Sequence, residues 1–491
     1  MANMKKYRKR IIILVPYPAQ GHVTPMHKLA LAFLDHGFQP IIVLPQFLHH
    51  QISLHHHHHP HPNNDGIKWV SLRDGLEDKK GSDDHHHRNF VPDFFAIEAA
   101  MEGNNVMGTD LEGLIHEVEE EEGGDGVVCV VVDLLASWAI EVGERCGIPT
   151  AGFWPALLAT YRLLASIPQM VHSGFISDDT GLPQHDGKIC LLPDLPILET
   201  EDLPWLIGTT AAKKARFKFW TRTLERSKNL RWLLVNSFQD ESNNNNNIYK
   251  CNSIITTSSQ DFPNVYPIVP QCRHIGISSN TSFWEEDLSC LEWLEKQEAN
   301  SVVYISFGSW VSPIGEAKLT SLALALEASR RPFIWVLKSS WCEGLPNGFL
   351  ERISMNQAGK VVSWAPQMAI LNHKSVGCYL THCGWNSTME AIRSQKRMLC
   401  YPVAGDQFLN CAYIVQVWRV GIRLNGLGQK DVEEGLSWVM EKENNVEMEI
   451  RLRELYENVM GERDDEDDLP RGVLNLKNFI ENIKNVAYVY N

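Results

Sequence analysis

The chain is punctuated by short, unbroken apolar runs that do not alternate with polar residues, and this limits its possible folds more than any other feature. Ile11–Val15 and Val127–Val132 are the plainest cases. Each is too short for a buried helix, and a strand covered on both faces has no reason to alternate. After Ile11–Val15 comes a loop with Pro16, Pro18 and Gly21, then Met26, Leu29, Ala30 and Phe33 at helical spacing. Gly37 stands where a helix C-cap is expected. A second apolar run, Ile41–Leu44, completes a βαβ unit. Ligands of open parallel sheets bind at the carboxyl edge of the strands, so the loop after Val15 and the strand end at Asp133 become places to look.

The rhythm continues with a helical stretch through Glu144 and a strand near Pro149–Phe153. It weakens from Leu48 to Arg88, where His55–His59 and His85–His87 lie among polar residues, and again at Asn243–Asn247 and from Ser253 to Gly276. The first of these reads as a variable loop rather than a metal site, and the last as a linker. A second series then begins, with strands predicted at Ser301–Ser306, Phe333–Leu337, Val376–Thr381 and Met398–Pro402 and a helix at Glu316–Ala328. The expected architecture is α/β, with two Rossmann-like domains facing across a cleft: residues 1–260, a linker at 261–275, a second domain at 276–470, and a C-terminal helix within 471–491 packing back on the first domain.

At 491 residues the chain is long enough for two such cores. Sixty acidic residues against 45 basic ones leave a net charge of -15, which disfavours nucleic acid and anionic membranes as partners. The basic start is followed by only five apolar residues before Pro16, short of the ~7–15 of a secretory signal. No apolar stretch approaches the ~18 residues of a membrane span. Eleven scattered cysteines show no framework spacing, so a reduced, cytoplasmic protein is expected.

The chemistry concentrates in Val376–Arg393, VGCYLTHCGWNSTMEAIR. A strand runs to His382, a turn passes through Gly384, and a helix begins near Asn386 and Ser387. A helix start leaves N–H groups unpaired and carries about half a positive charge, an arrangement suited to phosphate. Asn386, Ser387 and His382 add donors, and Glu390, one turn on, can accept hydrogen bonds from a diol. An ordinary capped helix, with Asn386 or Ser387 as N-cap, is the alternative. Zinc is not expected at Cys378, His382 and Cys383, because Cys383 faces away from the other two on a strand and no second ligand pair follows.

The wider segment from Trp364 to Gln407, 44 residues long, keeps W-A-P-Q at its start, H-C-G-W-N-S in its middle, a glutamate three residues on and D-Q at its end. It closely resembles the plant secondary product glycosyltransferase box, the donor-binding motif of family 1 UDP-glycosyltransferases. S-F-G-S at Ser306–Ser309, C-L-E-W-L at Cys290–Leu294 and G-H-V-T-P-M at Gly21–Met26 agree with that resemblance.

The resemblance implies the GT-B architecture and a donor site. Trp364 would stack on uracil, with Ala365 and Gln367 near the base and Glu390 on the ribose. His382, Asn386, Ser387 and Ser309 would hold the diphosphate beside Gly384, and Trp385, Asp406 and Gln407 would face the sugar. His22, in the loop after the first strand, would be the catalytic base, and Asp133 the carboxylate that orients it. Two departures stand out: Pro155 follows Phe153–Trp154 where the family commonly has a hydroxyl residue, and Gly405 precedes D-Q.

The reaction expected on this footing is inverting transfer of glucose from UDP-glucose to a hydroxyl of a small lipophilic acceptor, by a monomer, without cofactor or metal. Gln407 and Trp385 favour glucose over other sugars. The rivals are a relative using another UDP-sugar and a non-catalytic nucleotide-sugar sensor; a sensor would have no need of His22 and Asp133.

Overall fold

The computed structural model describes residues 10–55, 66–75, 94–102, 105–120, 126–192, 195–238, 264–268, 284–309, 314–441, 446–460 and 470–487. The histidine tract beyond His55, His85–His87 and Asn243–Asn247 lie outside the described residues.

The first sheet has seven parallel strands: β1 (Arg10–Val15), β2 (Phe38–Pro45), β3 (Lys68–Leu72), β4 (Val127–Asp133), β5 (Thr150–Trp154), β8 (Trp232–Val235) and β9 (Asn264–Pro267), in the order β3-β2-β1-β4-β5-β8-β9. Between β5 and β8 a two-stranded antiparallel pair, β6 (Lys188–Ile189) and β7 (Leu198–Glu199), stands apart. The second sheet has six parallel strands: β10 (Val302–Ser306), β11 (Phe333–Val336), β12 (Gly359–Val362), β13 (Val376–Thr381), β14 (Arg397–Cys400) and β15 (Gly421–Arg423), in the order β12-β11-β10-β13-β14-β15. Every residue of β4 and β13 is buried, as strands covered on both faces must be. Each buried Val or Leu contributes about 1.5–3 kcal/mol on removal from water.

Strand order reverses between β1 and β4 in the first sheet and between β10 and β13 in the second. At these switch points neighbouring loops leave in opposite directions and open a crevice at the carboxyl edge. The two crevices hold the candidate site.

The helix Gln20–Asp35 ends as the sequence predicts: Gly37 has φ +82° and its N–H reaches the Leu34 carbonyl at 3.0 Å. The C-terminal helix Arg471–Ala487 packs on the first sheet through Phe479, whose ring meets Phe33, Trp232 and Tyr266. Two expectations need correction. The linker assigned to 261–275 contains β9, the last strand of the first sheet; four residues at a sheet edge are too few to show a period. The thiols are not all free either. Cys190 is disulfide-bonded, whereas eight other described cysteines are free; one bond among scattered cysteines leaves no spacing to read.

Candidate active site

At the first switch point the loop after β1 turns into the helix Gln20–Asp35, and His22 stands in its first turn. Its Nδ1 lies 2.7 Å from Asp133 Oδ2, at the end of β4. A carboxylate can only accept, so Nδ1 carries the proton and Nε2 is left as a base. Asp133 is fully buried, and its other oxygen accepts the Leu135 N–H at 3.0 Å, which caps the turn Leu134–Ala136. The Tyr17 ring packs against the imidazole, with centroids 5.1 Å apart. Two residues 111 positions apart thus form one rigid unit, because β1 and β4 are neighbours in the sheet.

At the second switch point β13 ends at Thr381 and the helix Trp385–Arg393 follows. Its N-cap is Gly384, with no side-chain cap, so neither Asn386 nor Ser387 plays the capping role. The first N–H groups of this helix are left for an anion. His382 is buried between two glycines: a Cβ on Gly308 would fall 2.6 Å from its Nε2, and one on Gly384 would fall 2.3 Å away. Gly308 adopts φ +81°, which favours glycine in any case. Burial draws the His382 pKa down to about 4, and the nearby Ser306 carbonyl offsets this only slightly. Its Nδ1 makes no hydrogen bond of good geometry among the described residues. His382 is therefore a neutral imidazole at physiological pH and carries no charge toward a diphosphate. Ser309 lies at the end of the loop after β10, beside Gly308.

Gln367 ties β10 and β13 to the helix that carries Glu390. Its Nε2 donates to Glu390 Oε2 at 2.6 Å and to Ser387 Oγ at 3.1 Å, while its Oε1 accepts from the hydroxyls of Tyr304 at 2.9 Å and Tyr379 at 3.2 Å. Glu390 is thereby oriented before any ligand arrives. Ala365 is buried, and the Trp364 ring meets Trp284 at 6.4 Å between centroids. Glu286, in the same segment as Trp284, has its carboxyl pushed up by burial and then by the Glu390 charge.

Asp406 stands at the N-cap position of the helix Gln407–Ala412 without a side-chain cap, and accepts from Asn410 Nδ2 at 2.8 Å. Burial raises its pKa, opposed by the Asn410 hydrogen bond and by the charge of His22, so Asp406 and the candidate base lie near one another. Gln407 Oε1 accepts the N–H groups of Val403 at 2.9 Å and Ala404 at 3.0 Å. Its oxygen is thus engaged, and only its amide N–H groups remain to meet a hydroxyl. Gly405 adopts φ +66°, so this departure from the family serves a left-handed turn.

Three hydrogen bonds close the cleft. Trp385 Nε1 donates to the Asn236 carbonyl at 2.6 Å, Asn386 Nδ2 donates to the Gly21 carbonyl at 2.8 Å, and Asn236 Nδ2 reaches Asn386 Oδ1 at 3.5 Å. The Gly21 carbonyl is available because its helical partner four residues on is Pro25, which has no N–H. The Trp385 indole N–H and one N–H of the Asn386 amide are thus engaged in joining the domains. Sequence reasoning missed Asn236, Tyr304 and Tyr379. The two tyrosines are register partners on β10 and β13, a relation visible only once the strands are aligned.

Cys378, His382 and Cys383 form no common cluster. Cys383 instead packs with Cys400 and Cys411, their sulfurs within 4.8 Å of one another and all buried. Among the described residues no helix is long and apolar enough to cross a membrane.

Residues 212–459 match the family model described as UDP-glucoronosyl and UDP-glucosyl transferase. UDP-glycosyltransferase 82A1 of Arabidopsis thaliana is 50% identical over 471 residues, covering 93% of this chain and 96% of that protein. UDP-glycosyltransferase 83A1 of the same plant is 33% identical, covering 86% and 85%. Among solved structures, a UDP-glucose:anthocyanidin 3-O-glucosyltransferase in complex with UDP superposes with a TM-score of 0.76 at 23% identity, over 98% of this chain and 100% of that one. Medicago truncatula UGT71G1 complexed with UDP-glucose superposes at 0.70 and 22% identity, over 98% and 100%. The two facing parallel-sheet domains have the GT-B architecture. The chain belongs to the plant family 1 UDP-glycosyltransferases and is a glycosyltransferase.

Proposed function

We propose that the enzyme transfers glucose from UDP-glucose to a hydroxyl of a small lipophilic acceptor, with inversion, to give a β-glucoside. The His22–Asp133 hydrogen bond of 2.7 Å, with Asp406 nearby, carries this reading. His22 Nε2 takes the acceptor proton as the acceptor oxygen attacks the anomeric carbon. The bond from that carbon to the β-phosphate oxygen breaks on the opposite face, and UDP leaves. Asp133 holds the imidazole in the required tautomer and balances the charge it gains.

On the donor side, Trp364 and Ala365 would meet uracil and Glu390, set by Gln367, the ribose diol. The backbone of the Gly384 turn, with Ser309 and neutral His382, would meet the diphosphate. Asp406 would accept from sugar hydroxyls and the Gln407 amide would donate to one. No metal enters this scheme. The test is UDP release from UDP-glucose with a panel of phenolic and alcohol acceptors, with and without EDTA. Acceptor-dependent release that survives EDTA is expected. Binding of UDP-glucose without turnover on any acceptor would favour a sensor, and activity restored by Mg²⁺ after EDTA would overturn the metal-free scheme.

A further inference from the structure

We propose that Lys338 is the cation of the donor site, an ammonium that meets the diphosphate of the nucleotide sugar and steadies it as UDP departs. This rests on the donor reading above.

The need for such a group follows from the charges. A nucleoside diphosphate sugar carries two negative charges, and more charge gathers on the β-phosphate as the glycosidic bond breaks. Against it stand a helix start worth about half a charge, a His382 held neutral by burial, and an Asn386 amide engaged by Gly21. None of these supplies a full positive charge.

Strand register shows where one lies. Ser306 pairs with Val336, and Val336 pairs with Val362. Two residues beyond this row, at the carboxyl edge, come Gly308, Lys338 and Trp364. Lys338 therefore stands between the glycine of the phosphate loop and the tryptophan expected to stack on the base. All three line one narrow recess, together with Ser363 and Trp341, and Lys338 is the charged residue of that lining. Its Nζ lies 5.4 Å from the Trp341 ring centroid, so the ammonium rests on an aromatic face. Burial draws its pKa down, and among the described residues no acidic side chain draws it back up. A half-buried ammonium without a carboxylate is costly unless an anion accompanies it. In this recess, that anion is the diphosphate.

The experiment is calorimetric titration of UDP, UMP and uridine into the unmodified enzyme and its Lys338→Met and Lys338→Arg variants, with kcat and KM for UDP-glucose measured in parallel. Loss of a charge-assisted contact should weaken UDP about tenfold in Lys338→Met, weaken UMP less, and change uridine by less than about twofold. Lys338→Arg should recover UDP affinity to within a few-fold. Should Lys338→Met not fold, Lys338→Gln serves with the same expectations. Equal loss for UDP and uridine would assign the side chain to packing beside the base and overturn the proposal. Unchanged UDP affinity would overturn it too while leaving the donor reading intact, since the unmodified enzyme would still bind UDP. If the unmodified enzyme binds no UDP, the donor reading and this proposal fall together.

Discussion

The two switch points solve opposite electrostatic problems with the same scaffold. At the edge of the first sheet, His22 and Asp133 form a hydrogen-bonded pair, with the partners of the buried carboxylate in place and one imidazole nitrogen left as an acceptor. At the edge of the second, the groups at the turn are neutral or backbone: an uncharged His382, two glycines too close to it for any side chain, and a helix start with no cap. In the proposed reaction the first arrangement gains and loses a proton within one turnover. The second would meet an anion and let it go, so a permanent ion pair there would hinder release. Proton chemistry calls for a fixed partner, and leaving-group binding calls for donors without one.

The largest effect should come from removing the reserve proton acceptor. His22→Ala should lower kcat by about 100-fold or more, the ordinary scale of general-base help, with UDP-glucose affinity unchanged within a few-fold. Asp133→Asn should act the same way but more mildly. A purified His22→Ala enzyme with near-normal turnover would break the comparison at its first term.

Next comes the close packing of the second edge. Gly384→Ala places a Cβ 2.3 Å from His382 Nε2, against a buried ring with little room to move. Overpacking of this kind costs about 1–3 kcal/mol of folding stability, read as a lower melting temperature, and a displaced turn should weaken donor binding, with the His22–Asp133 pair untouched. The neutrality of His382 can be checked separately. Its imidazole takes up a proton only near pH 4, so UDP-glucose affinity should stay level from pH 8 to about 5 and strengthen below that, as the ring becomes cationic. A fall in affinity on raising the pH from 6 to 8 would show a charged histidine at the diphosphate.

How far each edge can be read from the sequence follows from how it is built. Trp364 to Gln407 is one contiguous stretch, so its helix start, glutamate and final D-Q are visible together. His22 and Asp133 are legible singly, as residues at the ends of apolar runs, and their 2.7 Å contact needs only that β1 and β4 be neighbours. Tyr304, Tyr379 and Lys338 are different. Tyrosines inside buried strands look like core, and a lysine after FIWVL looks like an exposed strand end. Their positions around Gln367 and Trp364 arise from the pairing of β10 with β11 and β13. Asn236 acts through its backbone carbonyl, which leaves no mark on residue type. The strand Asn264–Pro267 escaped because an edge strand of four residues carries no period.

Sugar choice should give a smaller effect and depends on the second edge alone. Gln407 can only donate here, because Val403 and Ala404 hold its oxygen, and Asp406 supplies the acceptor. A hydroxyl moved to the other face of the ring leaves one buried partner unsatisfied, which amounts to about tenfold in kcat/KM. UDP-glucose should be preferred over UDP-galactose by that factor in a competition assay, and Gln407→Ala should erode the preference more than it weakens UDP binding. Equal use of both sugars by the unmodified enzyme would remove Gln407 from specificity.

The smallest effect concerns how the two edges are joined. Pro25 lies inside the helix that carries His22, at a place where its missing N–H frees the Gly21 carbonyl for Asn386 Nδ2, 2.8 Å away on the other domain. A proline there weakens its helix, and the compensating gain is a hydrogen bond between the proton-handling edge and the anion-binding edge. Pro25→Ala supplies the missing N–H, which would compete for the same carbonyl. The helix should gain, since a proline costs up to about 3 kcal/mol in a helix interior, less the roughly 0.4–1 kcal/mol by which proline restrains the unfolded chain. The melting temperature should therefore rise. A carbonyl has two lone pairs and can keep both donors at longer distance, so the loss across the cleft should be partial, a fall of two- to fivefold in kcat/KM at about 1 kcal/mol or less. A double-mutant cycle with Asn386→Ala measures the coupling. If Pro25 acts through Asn386, Pro25→Ala should add little to the kinetic defect of Asn386→Ala, yet still raise its melting temperature. Additive kinetic losses would show that Pro25 serves only the geometry of its own helix and takes no part in joining the two edges.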